Sequence, residues 1–268
     1  MAQFNHHTRD PLADFSKRVI TIRGVPKFVY VAGQGPAVIV MSEMPGISPY
    51  VARFARWVRD AGLTVYMPSL FGQDGILPGH GKAMITLVRS CISREFRAFS
   101  SNASSPATQW LRELAVVAHK ECGGLGVGAI GMCFTGNFAL SMMLEKSVVA
   151  PVMSQPSLPM HNPAGLAIAP DELAAVKARM EADDLTVLAY RFEGDSFCRA
   201  ERFAAYAEAL GDRFIGKVLP DSAAKPDAPL KTPHSVVTLH LIDEVGQPTI
   251  KARDEMLEFF SARLIGTQ

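Results

Sequence analysis

The sequence predicts a protein of the α/β class, with a mostly parallel central sheet and helices on both of its faces. Two observations lead to this prediction. Short β-rich runs alternate with segments of helical spacing along nearly the whole chain. In addition, the run PAVIVMS at 36–42 is continuously apolar, which is typical of a strand buried on both faces. We find no internal repeat and no linker, and we interpret residues 1–268 as a single domain.

The first predicted elements are a β-hairpin and the neighbours of the apolar run. Two β-rich segments, at 19–23 and 27–31, are separated by the residues Gly-Val-Pro, a spacing that favours a hairpin. After the apolar run, hydrophobic residues at helical spacing predict a helix over 50–61. A second short apolar run predicts a strand over 63–67, which a proline ends.

The segment 69–105 differs from its surroundings. It contains several glycines, a proline, several arginines and the polar tract SSNASSP. Excursions of this length inside a domain are usually functional or disordered. We predict a short helix within this segment, and we interpret the whole excursion as a lid or a substrate-shaping element.

The alternation continues through the second half of the chain. Helices are predicted where apolar residues recur at helical spacing, and strands where short apolar runs are bounded by turn residues. The predicted helices cover 106–120, 134–145, 171–180, 197–210 and 249–264, and the predicted strands cover 127–130, 148–153, 185–192 and 214–219.

Composition limits the classes of partner. The chain has 27 Lys and Arg and 26 Asp and Glu, with a net charge of +1, and the basic residues are scattered. This balance does not indicate a nucleic-acid stripe or an anionic membrane partner. There is no apolar run of about 18 residues that could span a membrane, and the N-terminal segment lacks an apolar signal core. Four cysteines without a CxxC pair indicate reduced thiols, so we expect a cytoplasmic protein.

The stretch GAIGMCFTGNFAL at 128–140 places Cys133 where a predicted strand becomes a predicted helix. A nucleophile on such a turn needs small neighbours, and Gly131 and Gly136 supply them. Gly136 lies one place later than in the G-x-S-x-G spacing, because Thr135 occupies that place. The start of the helix favours a thiolate, and the N–H of Phe134 is suited to hold an oxyanion. The alternative is a buried cysteine that only packs under the helix.

Two further residues fit the order nucleophile, acid, histidine. Asp195 follows the predicted strand at 185–192, and His234 lies between the last strand and the last helix. The alternatives are a helix N-cap for Asp195 and a surface loop position for His234. Glu43 follows the apolar run at the carboxyl end of a strand, where α/β sheets carry their sites. It could accept a proton from a thiol or hold the cysteine loop, or it could be a solvated loop charge.

Several segments together resemble the dienelactone hydrolase family of α/β hydrolases. They are SEMPG at 42–46, GLTVYMPSLFG at 62–72, IGMCFTGNFAL at 130–140, FEGD at 192–195 and PHS at 233–235. The resemblance implies the α/β-hydrolase fold and a catalytic triad without metal or organic cofactor. The nucleophile would be Cys133, the base His234 and the orienting acid Asp195. Glu43 would assist thiolate formation, and the N–H groups of Phe134 and Met44 would form the oxyanion hole.

The resemblance has one departure that concerns the substrate. Family enzymes that open dienelactone hold its carboxylate with two arginines, one of them shortly after the catalytic histidine. No arginine follows His234 closely here, although Arg94 or Arg97 could serve as the other. We therefore predict hydrolysis of a small-molecule ester, lactone or thioester through an acyl-cysteine. A serine-type esterase is disfavoured because position 133 is cysteine, and the alternative of another class is a non-catalytic ligand-binding or redox-sensing protein.

Overall fold

The computed structural model describes residues 9–96 and 100–266, apart from the side chain of His80. Its centre is one eight-stranded sheet in the order β1-β2-β4-β3-β5-β6-β7-β8. The strands are β1 Ser16–Ile22, β2 Val25–Gly33, β3 Ala37–Met41, β4 Thr64–Pro68, β5 Val127–Met132, β6 Val148–Ser154, β7 Val187–Phe192 and β8 Phe214–Leu219. β2 pairs in antiparallel fashion with both of its neighbours, β1 and β4. The remaining neighbours in the sheet, from β4 through β3, β5, β6 and β7 to β8, pair in parallel. The predicted mostly parallel sheet and the hairpin are confirmed.

Seven helices surround the sheet in the described part of the chain. They are α1 Pro49–Asp60, α2 His80–Ile92, α3 Ala107–Cys122, α4 Phe138–Met142, α5 Pro170–Ala182, α6 Ala200–Leu210 and α7 Pro248–Leu264. Short 3₁₀ turns lie at Cys133–Thr135, Gly211–Arg213 and Asp221–Ala223. None of these helices is long and apolar enough to cross a membrane.

The hydrophobic core lies on both faces of the sheet. Along β3, Ile39 and Met41 pack in one cluster with α3 and α5, while Val38 and Val40 pack in the other with α1 and α7. Successive strand residues point to opposite faces, so a strand apolar at every position must be covered on both. This arrangement confirms helices on both faces of the sheet.

Two of the predicted helices are shorter than their sequence patterns suggest. The helix predicted over 134–145 is a 3₁₀ turn followed by the five residues of α4. Beyond α4 the amides of Met143 and Glu145 bond three residues back rather than four, so the chain tightens into turns before β6. The helix predicted over 197–210 begins only at Ala200, because Asp195 holds the preceding amides in a side-chain turn.

The excursion at 69–105 contains α2, which is the predicted helix of that segment. Gly72 lies between this helix and the loop that follows β3. A Cβ on Gly72 would stand 3.4 Å from a methyl group of Thr86 and still closer to the carbonyl oxygen of Pro45. The single-domain interpretation and the role of 69–105 as a lid stay predictions.

Candidate active site

Cys133 lies directly after β5 and has a φ of +53°, an uncommon backbone conformation for a non-glycine residue. The chain reverses there, and the flanking glycines make this possible. A Cβ on Gly131 would overlap the carbonyl of Thr135, and one on Gly136 would lie 2.5 Å from the Cα of Pro156. The turn also contacts the loop that follows β6, because the carbonyl of Cys133 accepts a hydrogen bond from the amide of Ser157 at 3.0 Å. Cys133 is therefore held, half-buried, at the tip of a strained turn.

Thr135 occupies the position of the second glycine in the G-x-S-x-G spacing, and its hydrogen bonds give it a structural role there. Its fully buried hydroxyl accepts from the Met132 amide at 3.0 Å. It also lies within donating distance of the carbonyls of Met41 (3.1 Å), Ser42 (3.2 Å) and Met132 (3.1 Å). The hydroxyl thus joins the end of β3 to the cysteine turn. Glycine is needed at Gly136 instead, where the backbone of Pro156 approaches.

Asp195 and His234 form a buried pair. Nδ1 of His234 lies 2.7 Å from Oδ2 of Asp195. The other oxygen, Oδ1, accepts from the amides of Phe197 (2.8 Å) and Cys198 (3.0 Å). Asp195 is not the N-cap of α6, because that position is occupied by Arg199. It instead holds two amides of the turn before the helix with one oxygen and contacts the histidine with the other. His234 is not a surface residue, since only 3% of it is exposed.

The other nitrogen of His234, Nε2, is buried and makes no hydrogen bond of standard geometry among the described residues. Burial acts to lower the pKa of His234. The nearby Cys133 sulfur and the Asp195 carboxylate act in the opposite direction and together raise that pKa well above its ordinary value. The ring of Phe197 lies over the imidazole, with centroids 5.0 Å apart. These interactions favour a cationic imidazole.

Glu43 is buried at the carboxyl end of β3, and it is not the solvated loop charge of the alternative prediction. One carboxylate oxygen accepts from the hydroxyl of Thr238, and the other accepts from Nε2 of Gln155 at 3.2 Å. Burial raises the pKa of Glu43, against the opposing effects of its hydrogen bonds and of His234. Among the described residues its hydrogen bonds thus go to the loop that carries His234 and to the residue after β6, and not to Cys133.

Three contributors to the site were not found from the sequence, namely Gln155, Thr238 and His240. Gln155 directly follows β6, and its position at the carboxyl end of a parallel strand is a signal that could have found it. Thr238 and His240 lie in an irregular loop, where neither periodicity nor spacing marks them.

His240 holds the backbone of the loop that carries His234. Its Nδ1 accepts from the amides of His234 (3.3 Å) and Ser235 (3.1 Å), and its Nε2 donates to the carbonyl of Leu230 (2.8 Å). This pattern requires the neutral tautomer with its proton on Nε2. Burial also lowers the pKa of His240, which agrees with a neutral ring. His240 is therefore a structural histidine.

The two predicted oxyanion donors lie at the ends of adjacent strands. Met44 follows β3 and Phe134 follows β5, and these strands pair in parallel with Met41 opposite Gly131. Neither amide donates to another protein group in the described part of the chain. The turn after Glu43 is closed by a hydrogen bond from the amide of Gly46 to the Glu43 carbonyl, at 2.8 Å.

Of the two predicted substrate-binding arginines, the structure describes one. Arg94 is exposed on the turn after α2, while Arg97 lies outside the described residues. No group of three or more His, Cys, Asp or Glu side chains in the described ranges could hold a metal ion.

Helix α2 lies beside the site. Sγ of Cys91 is 3.2 Å from Sδ of Met160, in the loop that follows β6. Burial and the nearby Cys133 sulfur raise the pKa of the Cys91 thiol. Together with the approach of Thr86 to Gly72, these contacts place α2 next to both the cysteine turn and the loop after β3.

A mixed eight-stranded sheet, with a strained cysteine turn after β5 and an acid–histidine pair after β7 and β8, defines the class of α/β hydrolases. The comparisons with known proteins agree with this class. The chain belongs to the dienelactone hydrolase family, whose model matches residues 24–205. The matched region includes Glu43, Cys133 and Asp195 and ends before His234. No curated protein matches the sequence.

Solved structures show the same fold at low sequence identity. The chain is similar to the dienelactone hydrolase-like promiscuous phosphotriesterase P91 from metagenomic libraries, with a TM-score of 0.62, 17% identity and coverage of 94% of this chain and 100% of that chain. It is also similar to the thermophilic esterase Est2 of Thermogutta terrifontis (TM-score 0.56, 12% identity, 96% of both chains). A third similar structure is a cold-adapted esterase from an Arctic intertidal metagenomic library (TM-score 0.55, 12% identity, coverage of 92% of both chains).

Proposed function

We propose that this protein hydrolyses carboxylic esters, lactones or thioesters through an acyl-cysteine intermediate on Cys133. The observation that carries the proposal is the position of Cys133 at a left-handed turn after β5, beside a histidine whose Nδ1 is 2.7 Å from Asp195. A cysteine that only packs in a core has no need of a strained backbone or of an oriented imidazole. This combination supports a nucleophile with its general base.

In the proposed reaction, the Cys133 thiolate attacks the carbonyl carbon of the substrate. The tetrahedral intermediate collapses as His234 donates its Nε2 proton to the leaving oxygen or sulfur, and the carbon–heteroatom bond breaks. A water molecule then gives a proton to His234 and attacks the acyl-cysteine. The carboxylic acid is released and the thiolate is restored. Throughout, Asp195 keeps the imidazole in one orientation and stabilises its cationic form.

The N–H groups of Phe134 and Met44 are the proposed oxyanion hole. They follow adjacent parallel strands, so both can be directed towards a carbonyl oxygen bound at Cys133. Each such donor contributes on the order of 3 kcal/mol to transition-state stabilisation in enzymes where it has been removed.

For Glu43 the hydrogen bonds favour a positioning role over the role of a base for the thiol. Both of its oxygens are engaged, by Thr238 and by Gln155, and its raised pKa favours the protonated form. Glu43 would then join the loop that carries His234 to the loop after β6. A movement of its carboxyl group upon substrate binding would be needed before it could act on the thiol.

The side chains around the site favour an uncharged ester over an anionic lactone. Three buried or largely buried arginines lie near the loops of the site, and each is already engaged by backbone carbonyls. Arg202 donates to four carbonyls of the loop after β6, Arg191 to three carbonyls around Asp195, and Arg53 to the carbonyl of Thr238. If a substrate carries a carboxylate, Arg94 and Arg97 are the residues proposed to bind it.

The proposal is tested by steady-state hydrolysis of neutral aryl esters, thioesters and dienelactone by the wild type and Cys133→Ala. We expect a rate loss of about four orders of magnitude in the variant. Cys122→Ala, which removes a half-buried cysteine at the end of α3, is the matched control and should keep the wild-type rate. Wild-type activity in Cys133→Ala would disprove the nucleophile assignment. Absence of hydrolysis in every protein, combined with oxidation of Cys133 by dilute peroxide, would favour the redox-sensing alternative.

A further inference from the structure

The outward face of α2 is apolar. Four large apolar side chains on this helix are at least half exposed, although residues of these types are usually buried. They are Met84 (58% exposed), Ile85 (55%), Val88 (50%) and Ile92 (75%). At 3.6 residues per turn, these positions fall within about 100° of arc and form one continuous stripe along the helix.

The opposite face of α2 makes the contacts with the protein. It consists of residues that are buried or half-buried, and most of them are small: Ala83, Thr86, Leu87, Ser90 and Cys91. The helix is therefore anchored without the stripe. Contiguous exposed apolar patches on folded proteins usually mark sites of interaction, so the stripe indicates a docking surface.

The charges around the stripe identify the chemistry of that partner. The exposed Lys82 and Arg89 lie on one border of the stripe, and the exposed Arg94 follows the end of the helix. None of the three forms an ion pair with a residue that the structure describes. Between Asp74 and Glu95 the sequence contains no acidic residue. The near-zero net charge of the whole chain conceals this local excess of positive charge, because acidic residues elsewhere balance it.

We propose that α2 docks on a lipid surface with anionic headgroups. The apolar stripe would enter the boundary between headgroups and acyl chains, and Lys82, Arg89 and Arg94 would contact the headgroups. A helix with an apolar stripe, a basic border and no acidic residue has the pattern of helices that lie in the plane of a membrane surface. Because α2 also lies beside Cys133, docking would place the candidate active site next to the lipid phase.

A second copy of the chain is a less suitable occupant of the stripe. Pairing two α2 helices about a two-fold axis would bring two sets of basic residues together, without an acidic residue in the segment to compensate. Like charges opposed across an interface disfavour association. The lipid surface has no such conflict.

The test is flotation of the full-length protein with vesicles of phosphatidylcholine alone or of equimolar phosphatidylcholine and phosphatidylglycerol. We expect binding to the anionic vesicles, little binding to the neutral ones, and loss of binding at high salt. Val88→Ser/Ile92→Ser should reduce the vesicle affinity about tenfold or more, since two apolar side chains leave the lipid. Lys82→Gln/Arg89→Gln should have an effect of similar size.

The matched control is Leu125→Ser/Val245→Ser, which replaces two apolar side chains that are 66% and 102% exposed outside α2. It should bind vesicles like the wild type. Equal binding to both vesicle types, or no binding to either, would overturn the proposal. So would a wild-type dimer in light scattering that Val88→Ser/Ile92→Ser converts to a monomer, because the stripe would then belong to a second copy. Docking is measured without turnover, so Cys133→Ala should float as the wild type does whatever the outcome for the proposed function.

Discussion

At the scale of single residues, several side chains of the site perform two tasks with different atoms. Asp195 uses Oδ1 to hold two backbone amides and Oδ2 to orient His234. Thr135 accepts from the amide of Met132 while its hydroxyl also contacts the end of β3. Such residues couple local backbone shape to the geometry of the site, because the same group that fixes a turn also fixes the position of a candidate catalytic side chain.

The buried hydroxyl of Thr135 gives the first prediction at this scale. Thr135→Val keeps the shape of the side chain but leaves the Met132 amide without its partner. We expect a loss of about 1–3 kcal/mol in the free energy of unfolding, which is the usual cost of a buried polar group without a partner. The catalytic rate should also fall, because the cysteine turn would no longer be joined to β3.

The matched control for this change is Thr135→Ser, which retains the hydroxyl and loses one methyl group. Chemical denaturation and ester hydrolysis would be measured on both variants. A serine variant as damaged as the valine variant would mean that packing of the methyl group, and not the hydrogen bonds, is what the site requires.

At the scale of secondary structure, the site is assembled from the carboxyl ends of neighbouring strands. In sheet order, β3, β5, β6 and β7 are adjacent, and each is followed by one residue of the site. These residues are Glu43 after β3, Cys133 after β5, Gln155 after β6 and Asp195 after β7. Of the predicted catalytic residues, His234 alone comes from a long irregular segment, and its loop is held by hydrogen bonds that involve His240, Thr238 and Gln155.

The contact between the cysteine turn and the loop after β6 gives the prediction at this scale. Gly136→Ala would place a methyl group 2.5 Å from the Cα of Pro156, so one of the two backbones must move. We expect a loss of about 1–3 kcal/mol in stability, as for other overpacked sites. The catalytic rate should also fall, because Pro156 directly follows Gln155, whose side chain donates a hydrogen bond to Glu43.

Gly81→Ala is the control for that substitution. Gly81 lies in α2, and an added Cβ there meets no other atom within 4 Å. The variant should be as stable as the wild type or up to about 1 kcal/mol more stable, because alanine favours a helix over glycine. Thermal unfolding of both variants provides the measurement. Equal stability of Gly136→Ala and wild type would show that the two loops separate at no cost.

The strands and the order of the site residues could be predicted from the sequence, because they depend on local patterns. PAVIVMS is apolar at every position, and Cys133, Asp195 and His234 occur in a fixed order. The partners of Glu43 could not be predicted, since Thr238 lies 195 positions away and Gln155 lies 112 positions away. The extent of α4 also depends on the tertiary turn into β6 and not on its own helical spacing.

At the scale of the whole molecule, ionisable groups of two kinds set the dependence of stability on pH. The first kind has a lowered pKa. Arg56 and Arg59 bring the pKa of Asp14 down to about 2, and Arg18 and Tyr66 do the same for Glu121. Carboxylates of this kind stabilise the fold above their unfolded pKa, and that stabilisation is lost as the pH falls through the folded value.

The second kind has a raised pKa and lies in the candidate active site. Burial raises the pKa of Glu43 above its ordinary 4.5. The Cys133 sulfur and Asp195, against the effect of burial, raise the pKa of His234 above its ordinary 6.5. Both groups bind a proton more tightly in the folded state. Their contribution to stability is complete below the unfolded pKa values and is lost as the pH rises through the folded ones.

These signs together predict a stability maximum in the mildly acidic range. The free energy of unfolding should fall towards pH 2 as Asp14 and Glu121 become protonated. It should fall again as the pH rises above the ordinary pKa values of Glu43 (4.5) and His234 (6.5), because both groups hold their protons more tightly in the fold. Glu43→Gln keeps the size and polarity of the buried group without a charge. It should therefore flatten the fall in stability at higher pH and leave the acidic limb unchanged, whereas Glu121→Gln should flatten only the acidic limb. Urea denaturation of the three proteins across this pH range measures both limbs. If Glu43→Gln and the wild type lost stability equally as the pH rises above 4.5, the ordinary pKa of a glutamate, Glu43 would be ionised in the fold without cost, and its carboxylate would be free to serve as the base for Cys133.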